Sequence, residues 1–441
     1  MTAATTSLGF NRETFDTFLQ SREEPTWLRE MRASAWEKFA ELPLPGQRDE
    51  EWMRTDIRLF RLEKFGFTAE GSAPASLPNG LLTHGVELGG QVTALDSIPQ
   101  SARPVSNRLK PKWAQQGVLF GSLDELVKEH GDLVHKHLFR AVDASTDKFA
   151  ALHAAAWSGG TLLYVPRGVV IDEPLHSLSL ISPGATDLGH TLVILEDGAE
   201  ATLLSETASL AESSAGLHVG AVELIVGKNA RLRYVNLQNW ATGVWHFAHQ
   251  KALVGEGGSL QWTIAALGSR LAKVNQHVAL VGRGANAQVN GVMFTEGKQH
   301  LSYHTLQHHQ APNCKSDLLY KSALQDSSRT VWRGMIRVDV DAQKTDGYQR
   351  NDNLMLSDHC RSDSIPGLEI LADDVRCTHG STAGRVDDEQ IFYARCRGLT
   401  RKEAVRMVVT GFFQQVFDRI TIESVREALG QAIGRRIREY D

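Results

Sequence analysis

The sequence has 441 residues, of which 42% are hydrophobic and 22% charged, and its formal net charge is -5 with an isoelectric point near 6.4. This composition is that of a globular protein, and the length allows two or three domains or one long solenoid. It argues against binding to nucleic acid, and there is no apolar run of the roughly eighteen residues that a membrane-spanning helix needs. The polar start MTAATTSLGFNRE lacks the basic and apolar parts of a signal peptide, so we expect a cytoplasmic protein.

The first 158 residues are predicted to be a mostly helical region. Apolar residues that recur every four positions predict a helix over residues 26–42, after a shorter helix over 12–21. Residues 86–98 are expected to be extended. A further helical run is predicted over residues 123–157, before the Ser-Gly-Gly sequence that ends it.

A different periodicity begins at residue 159 and continues to about 386. Short β-rich runs alternate with turns at Gly198, Gly227, Gly257 and Gly284, which are separated by 29, 30 and 27 residues. Near-regular turns at this spacing predict stacked β-coils, and we interpret the region as a right-handed parallel β-helix. Propeller blades would need longer repeats of roughly 40 residues, whereas a β-sandwich stays open on the pattern alone.

The C-terminal region, residues 387–441, is predicted to be a helical domain. Thr400 and Glu403 form a capping box ahead of a helix with a broad apolar face. This face consists of Val405, Val408, Val409, Phe412, Phe413, Val416, Phe417 and Ile420. Such a face must be buried, either on the apolar residues of the terminal helix (Val425, Leu429, Ile433 and Ile437) or on a partner protein.

Cys377 and His379 are the candidate metal ligands, because they would point to the same side of an extended backbone. Two ligands cannot close a metal site, and a Cys-x-His sequence occurs by chance more often than it binds metal. The other cysteines, Cys314, Cys360 and Cys396, are scattered and form no CxxC motif, as expected in a reducing compartment. Any metal site must therefore be shared or transient.

The segment LEILADDVRCTHGSTAGRVDDEQIFYARCRG, residues 368–398, resembles the C-terminal signature of the SufB/SufD family of iron-sulfur cluster assembly proteins. It is most similar to the SufD branch. SufB proteins have a scaffold cysteine near the position of Gln349-Arg350-Asn351-Asp352, where this chain has none. Weaker similarities occur at residues 24–27, 51–55 and 163–168.

The resemblance implies a β-helix core and a scaffold subunit that pairs with a SufB-like protein, with a homodimer as the form in isolation. It also implies that the terminal helices bind a SufC-like ABC-type ATPase, and we expect Phe412, Phe413, Val416 and Phe417 to form the docking surface. The implied cargo is a transient iron-sulfur cluster or iron at the subunit interface. We expect His379 to be its ligand, with Cys377 as an auxiliary thiol.

Motifs for independent catalysis are absent from the sequence. There is no G-x-x-x-x-G-K-[ST] phosphate loop, no G-x-S-x-G elbow and no H-E-x-x-H zinc motif. We therefore expect no nucleotide to bind this chain and no catalytic residue, so that the ATPase of an ATP-driven complex is a separate chain.

Two other functions stay open. One is a β-helix enzyme acting on polysaccharide, for which Glu196, Asp197 and Glu200 are the acidic residues near a turn. The other is a self-contained metal-binding protein that uses the histidines of the sequence HLSYHTLQHH (His300, His304, His308 and His309). Histidines four residues apart on a strand are about 13 Å apart, too far to share an ion, so we favour an exposed polar face.

Overall fold

The computed structural model describes residues 9–67, 77–97 and 107–437. The first eight residues of the polar start, and Ile98 at the end of the predicted extended segment, lie outside these ranges. The helices are α1 (Arg12–Gln20), α2 (Thr26–Glu41), α3 (Pro111–Ala114), α4 (Leu123–Glu129), α5 (Gly131–His137), α6 (Lys148–Ala156), α7 (Asp388–Cys396), α8 (Arg401–Phe417) and α9 (Glu423–Arg436), with 3-10 turns at Leu62–Lys64 and Leu81–Thr83. None of the described helices is long and apolar enough to cross a membrane.

The strands form two long sheets. They are β1 (Gly90–Leu95), β2 (Asn107–Leu109), β3 (Leu119–Ser122), β4 (Thr161–Val165), β5 (Leu175–Ile181), β6 (Thr186–Asp187), β7 (His190–Leu195), β8 (Glu200–Ser209), β9 (Ala215–Val226), β10 (Arg231–Asn239), β11 (Gly243–Val254), β12 (Ser259–Ala266), β13 (Leu271–Leu280), β14 (Asn286–Thr295), β15 (His300–His309), β16 (Lys315–Leu324), β17 (Arg329–Val338), β18 (Thr345–Met355), β19 (Arg361–Ile370) and β20 (Val375–Arg385). The front sheet has the order β2-β1-β5-β8-β10-β12-β14-β16-β18-β20, and the back sheet has the order β19-β17-β15-β13-β11-β9-β7-β4-β3 with β6 beside β9.

From β7 onward, consecutive strands alternate between the two sheets, and each pairs in parallel with the next strand of its own sheet. This arrangement is a parallel β-solenoid of about eight turns between residues 161 and 385, which confirms the predicted β-helix core. The predicted turn glycines lie between strands, and Gly198, Gly257 and Gly284 have φ values of +69°, +62° and +71°. Glycine adopts this left-handed conformation without a steric penalty, so these turns were visible in the sequence.

The N-terminal region contributes strands as well as helices. Within the predicted extended segment, β1 pairs in parallel with β5 and so continues the front sheet, whereas β3 pairs antiparallel with β4 in the back sheet. The single helical run predicted over residues 123–157 is interrupted. It forms α4, α5 and α6, and α6 is capped by Asp147, whose side chain accepts a hydrogen bond from Ala150 N. The N-terminal region therefore covers the start of the solenoid.

A buried ion cluster joins α2 to the start of the solenoid. Arg32 has no exposed surface, and it donates to both carboxylate oxygens of Glu24 at 2.8 Å and to Trp157 O at 2.8 Å. Arg22 also contacts Glu24 and reaches Asp124. Burial favours the neutral acid, yet the two arginines outweigh burial and lower the pKa of Glu24. The cluster is a structural element, since every charge in it has a partner.

Candidate functional site

The last turn of the solenoid has two open strand edges. Among the described residues, β20 pairs with β18 alone and β19 pairs with β17 alone. Residues 381–385 of β20 are all exposed. An exposed edge strand presents unpaired N–H and C=O groups that can pair with a strand of another chain. This end of the solenoid therefore has the form of an interaction surface.

Cys377 and His379 both lie on β20 and occupy the same side of it. The parallel register aligns Cys377 with Gly347 and His379 with Gln349, and both of these β18 residues are buried. Cys377 is half-buried and packs against Ile336, whereas His379 is exposed. Burial raises the pKa of the Cys377 thiol. The imidazole is thus accessible, while the thiol is held in its neutral form.

The lumen of the solenoid becomes polar just beneath His379. The row of inward side chains that ends at His379 contains Val289 and Leu318 in earlier turns and then Gln349. Gln349 has no exposed surface, and its Nε2 donates to Gly367 O at 3.0 Å. This bond holds the side chain below the exposed imidazole, whereas its buried Oε1 atom has no hydrogen-bond partner among the described residues.

An apolar rim lies at the same end of the molecule. Val340, Leu368, Ile370 and Leu371 are 61%, 37%, 37% and 50% exposed. Contiguous exposed apolar residues mark interaction sites on soluble proteins. The rim and the two open strand edges together form a surface that a partner could cover, and we call it the open end.

The described residues contain no group of three or more His, Cys, Asp or Glu side chains that could hold a metal ion. Cys314 and Cys360 are buried, and Cys396 is exposed on α7. Within the described part of the chain, Cys377 and His379 are therefore an incomplete ligand set.

The predicted docking face of the C-terminal domain is largely occupied by the chain itself. Phe413 and Val416 have no exposed surface and Phe417 is 5% exposed, because α8 packs on α9 and on the outer face of the front sheet. Phe412 is half-buried, and the ammonium of Lys321 lies 4.7 Å from its ring centroid. These side chains stabilise the attachment of the helical domain to the solenoid.

A different set of apolar side chains on the same domain faces solvent. Phe392 and Tyr393 on α7 are 69% and 61% exposed, and Met407 on α8 is 52% exposed. Sequence reasoning missed them, although their neighbours Ile391 and Ala394 are the buried residues of α7. A helical periodicity centred on Ile391 would have placed Phe392 and Tyr393 off the buried face.

The histidines of β15 are not the exposed face that the sequence favoured. His304 Nδ1 lies 2.5 Å from Glu51 Oε2, and the His304 side chain is only 11% exposed, because the N-terminal segment covers this part of the back sheet. His308 contacts Asp339 at 2.9 Å. His309 lies on the opposite, buried side of the strand.

Two of the three acidic residues considered for polysaccharide chemistry, Asp197 and Glu200, are engaged in ion pairs. Asp197 lies 2.6 Å from Arg167, and Glu200 lies 2.9 Å from Arg231. Each carboxylate therefore has a cationic partner on a neighbouring turn.

Comparison with known proteins assigns most of the chain. A family model described as "SUF system FeS cluster assembly, SufBD core domain" matches residues 180–412, and one described as "SufBD protein N-terminal region" matches residues 91–176. The chain is 29% identical over 412 residues to an iron-sulfur cluster assembly SufBD family protein of Staphylococcus saprophyticus. It is 28% identical to proteins of the same description from Staphylococcus epidermidis and Staphylococcus aureus, over 410 and 416 residues. Each alignment covers 91% of this chain and 88% of the relative.

Proposed function

The chain belongs to the SufBD family of the SUF iron-sulfur cluster assembly system, and we propose that it is a SufD-like, non-catalytic scaffold subunit that acts in the cytoplasm. Its partners in this proposal are a SufB-like scaffold and a SufC-like ABC-type ATPase. The SufD-like assignment is supported by the residues at 349–352, Gln-Arg-Asn-Asp, which contain no thiol.

The open end is the observation that carries the proposal. A SufB-like solenoid could add strands to β19 and β20 and cover the apolar rim, which would satisfy the backbone groups that the edges leave unpaired. A second copy of this chain has the same open edges, so the isolated protein is expected to form a homodimer. The partner is also expected to bring its own ligands to the interface.

His379 is the proposed ligand that this subunit contributes to the nascent cluster. Its exposed imidazole lies on the open strand, and the cluster is cargo of the complex, not a resident cofactor. Imidazole is a weaker ligand than thiolate, which suits a cluster that must be passed on. Cys377 is assigned the auxiliary role, because its half-buried thiol has a raised pKa.

The proposed ATPase docking surface is the exposed side of the C-terminal helical domain. Phe392, Tyr393 and Met407 are apolar and exposed there, whereas Phe413, Val416 and Phe417 are buried within the chain. Aromatic residues are enriched at the centres of protein interfaces, so Phe392 and Tyr393 are the expected anchors.

The ligand role is tested by His379→Ala in the reconstituted three-protein complex. We expect the complex to assemble, as seen by size-exclusion chromatography, but to lose most of the iron and sulfide that the unaltered complex acquires anaerobically. His359→Ala is the matched control, since His359 is also exposed near the same end of the molecule. Normal cluster assembly by His379→Ala would show that the ligand assignment is wrong.

A further inference from the structure

A groove of about 400 Å³ lies on the outer face of the back sheet, away from the lumen. Outward side chains of β11, β13, β15 and β17 form its floor, and Glu51 of the N-terminal segment lies on its wall. This volume is within the range of small-molecule sites in proteins, about 300–1,000 Å³. The C-terminal helical domain does not line this groove, which reaches the open end only at Glu369 of β19.

One row of side chains runs along the groove. The register aligns Lys251 with His277, then with Leu306 and Met335 on the next two strands. Neighbouring strands are about 4.8 Å apart, so the row is about 14 Å long. Two polar groups at one end are thus followed by two apolar groups at the other.

The polar end of the row contains groups without a direct polar contact. The Lys251 ammonium is half-buried and makes no hydrogen bond or close ion pair with another described residue, although Glu223, its register partner on β9, and Asp143 attract it from a greater distance. Asp143, an acid at the rim of the groove, makes its hydrogen bonds with Ser145 instead. Burial outweighs the attraction of these carboxylates and lowers the pKa of Lys251, so an anion in direct contact with the ammonium would stabilise its charged form.

His277 adds a second unpartnered group next to Lys251. Its Nε2 is buried and has no hydrogen-bond partner among the described residues. Burial lowers the pKa of His277 to about 3, so the ring is neutral at physiological pH and has one N–H to donate. By contrast, Arg333 on the wall is already paired, at 2.6 Å with Glu50 and 3.0 Å with Glu51. Other buried donors of the lining, Gln276 Nε2, Thr305 Oγ1 and Arg337 Nε, also lack a hydrogen-bond partner among the described residues, but only Lys251 and His277 lie next to each other in this row.

We propose that this groove binds a small organic anion, with its anionic group between Lys251 and His277 and its apolar body over Leu306 and Met335. A metal ion does not fit the site, because no three metal-ligating side chains come together among the described residues. An uncharged apolar ligand would leave the Lys251 ammonium without a hydrogen-bonding contact. The inference stands independently of the cluster-assembly proposal.

The test uses the full-length chain and the fluorescent probe 8-anilino-1-naphthalenesulfonate, which combines a sulfonate with aromatic rings. We expect saturable binding that Lys251→Gln weakens about ten-fold, which is the loss typical of one charge-assisted hydrogen bond. Lys228→Gln is the matched control, because Lys228 is exposed and paired with Glu256 at 3.0 Å, and it should bind the probe as the unaltered chain does. The uncharged analogue N-phenyl-1-naphthylamine should bind both variants equally.

Two results would overturn the inference. One is equal affinity of Lys251→Gln and Lys228→Gln for the sulfonate. The other is a loss of affinity of Lys251→Gln for the uncharged amine that is as large as its loss for the sulfonate. That result would show that the groove binds apolar groups without selecting an anion. Thermal unfolding monitored by circular dichroism checks that both variants are folded, and Lys251→Gln should not be destabilised because it removes no pairing contact.

Discussion

The C-terminal domain offers a direct comparison between an apolar face buried in the chain and an apolar patch left exposed. Phe413→Ala removes a side chain with no exposed surface from the cluster that joins α8 to the front sheet. Truncating a buried phenylalanine costs about 3–5 kcal/mol. Phe392→Ala removes a side chain that is 69% exposed and should change the free energy of unfolding by less than about 0.5 kcal/mol. Urea unfolding followed by tryptophan fluorescence measures both values.

For binding of a SufC-like ATPase we expect the opposite order, with a larger effect of Phe392→Ala than of Phe413→Ala. If Phe392 and Tyr393 anchor the ATPase, Phe392→Ala should cost about 2 kcal/mol, or about 30-fold in Kd, by isothermal titration calorimetry. Phe413→Ala should bind normally under conditions in which it stays folded. If instead Phe413→Ala weakened binding while its free energy of unfolding was unchanged, the burial argument would be wrong and Phe413 would itself be the docking residue.

Two further predictions concern buried charges. Burial lowers the pKa of Lys273 to about 7, so the folded state binds the proton of this ammonium more weakly than the unfolded state does. We therefore expect Lys273→Met to raise the free energy of unfolding most below pH 7. This gain should shrink as the pH rises towards 10. Urea unfolding at pH 6 and pH 9 measures this gain, and an equal gain at both pH values would contradict the lowered pKa of Lys273. Glu24→Gln should cost about 3–5 kcal/mol because it leaves Arg32 buried without its carboxylate. Asp16→Asn, in the exposed pair with Arg12, should cost less than about 1 kcal/mol in the same assay, and similar costs for the two variants would refute the argument from burial.

The positions of the solenoid turns could be predicted from glycine residues for only some of the turns. The first turns place glycine where φ is positive, and glycine is easily recognised in a sequence. Later turns place Asn313, Asp326 and Lys344 at φ values of +62°, +58° and +59°. Since these residue types are common elsewhere, a search for turn glycines ends at Gly297, whose φ is +60°, and the remaining turns emerge only from the strand register.

The start of helix α8 was predictable, whereas the burial of its apolar face was not. The capping box of Thr400 and Glu403 begins α8 as the sequence predicted. An amphipathic pattern shows that a face is apolar, but it does not show whether the neighbouring surface belongs to the same chain. Here Phe413 packs on strands that lie about one hundred residues earlier, and that contact is a tertiary one. The covering of His304 by Glu51, 253 residues away, was hidden for the same reason.

The two ends of the solenoid differ, and the difference explains why the candidate site is incomplete. The start is covered by the N-terminal region, whose β1 and β3 extend both sheets. At the other end, β19 and β20 have one unpaired edge each among the described residues, and His379 lies on one of these edges. A strand supplied by a partner would pair the open edge and, at the same step, bring that partner's side chains beside His379. In the proposed function the missing ligands and the missing strand pairing are one requirement, so we expect formation of the subunit interface and completion of the proposed metal site to occur together.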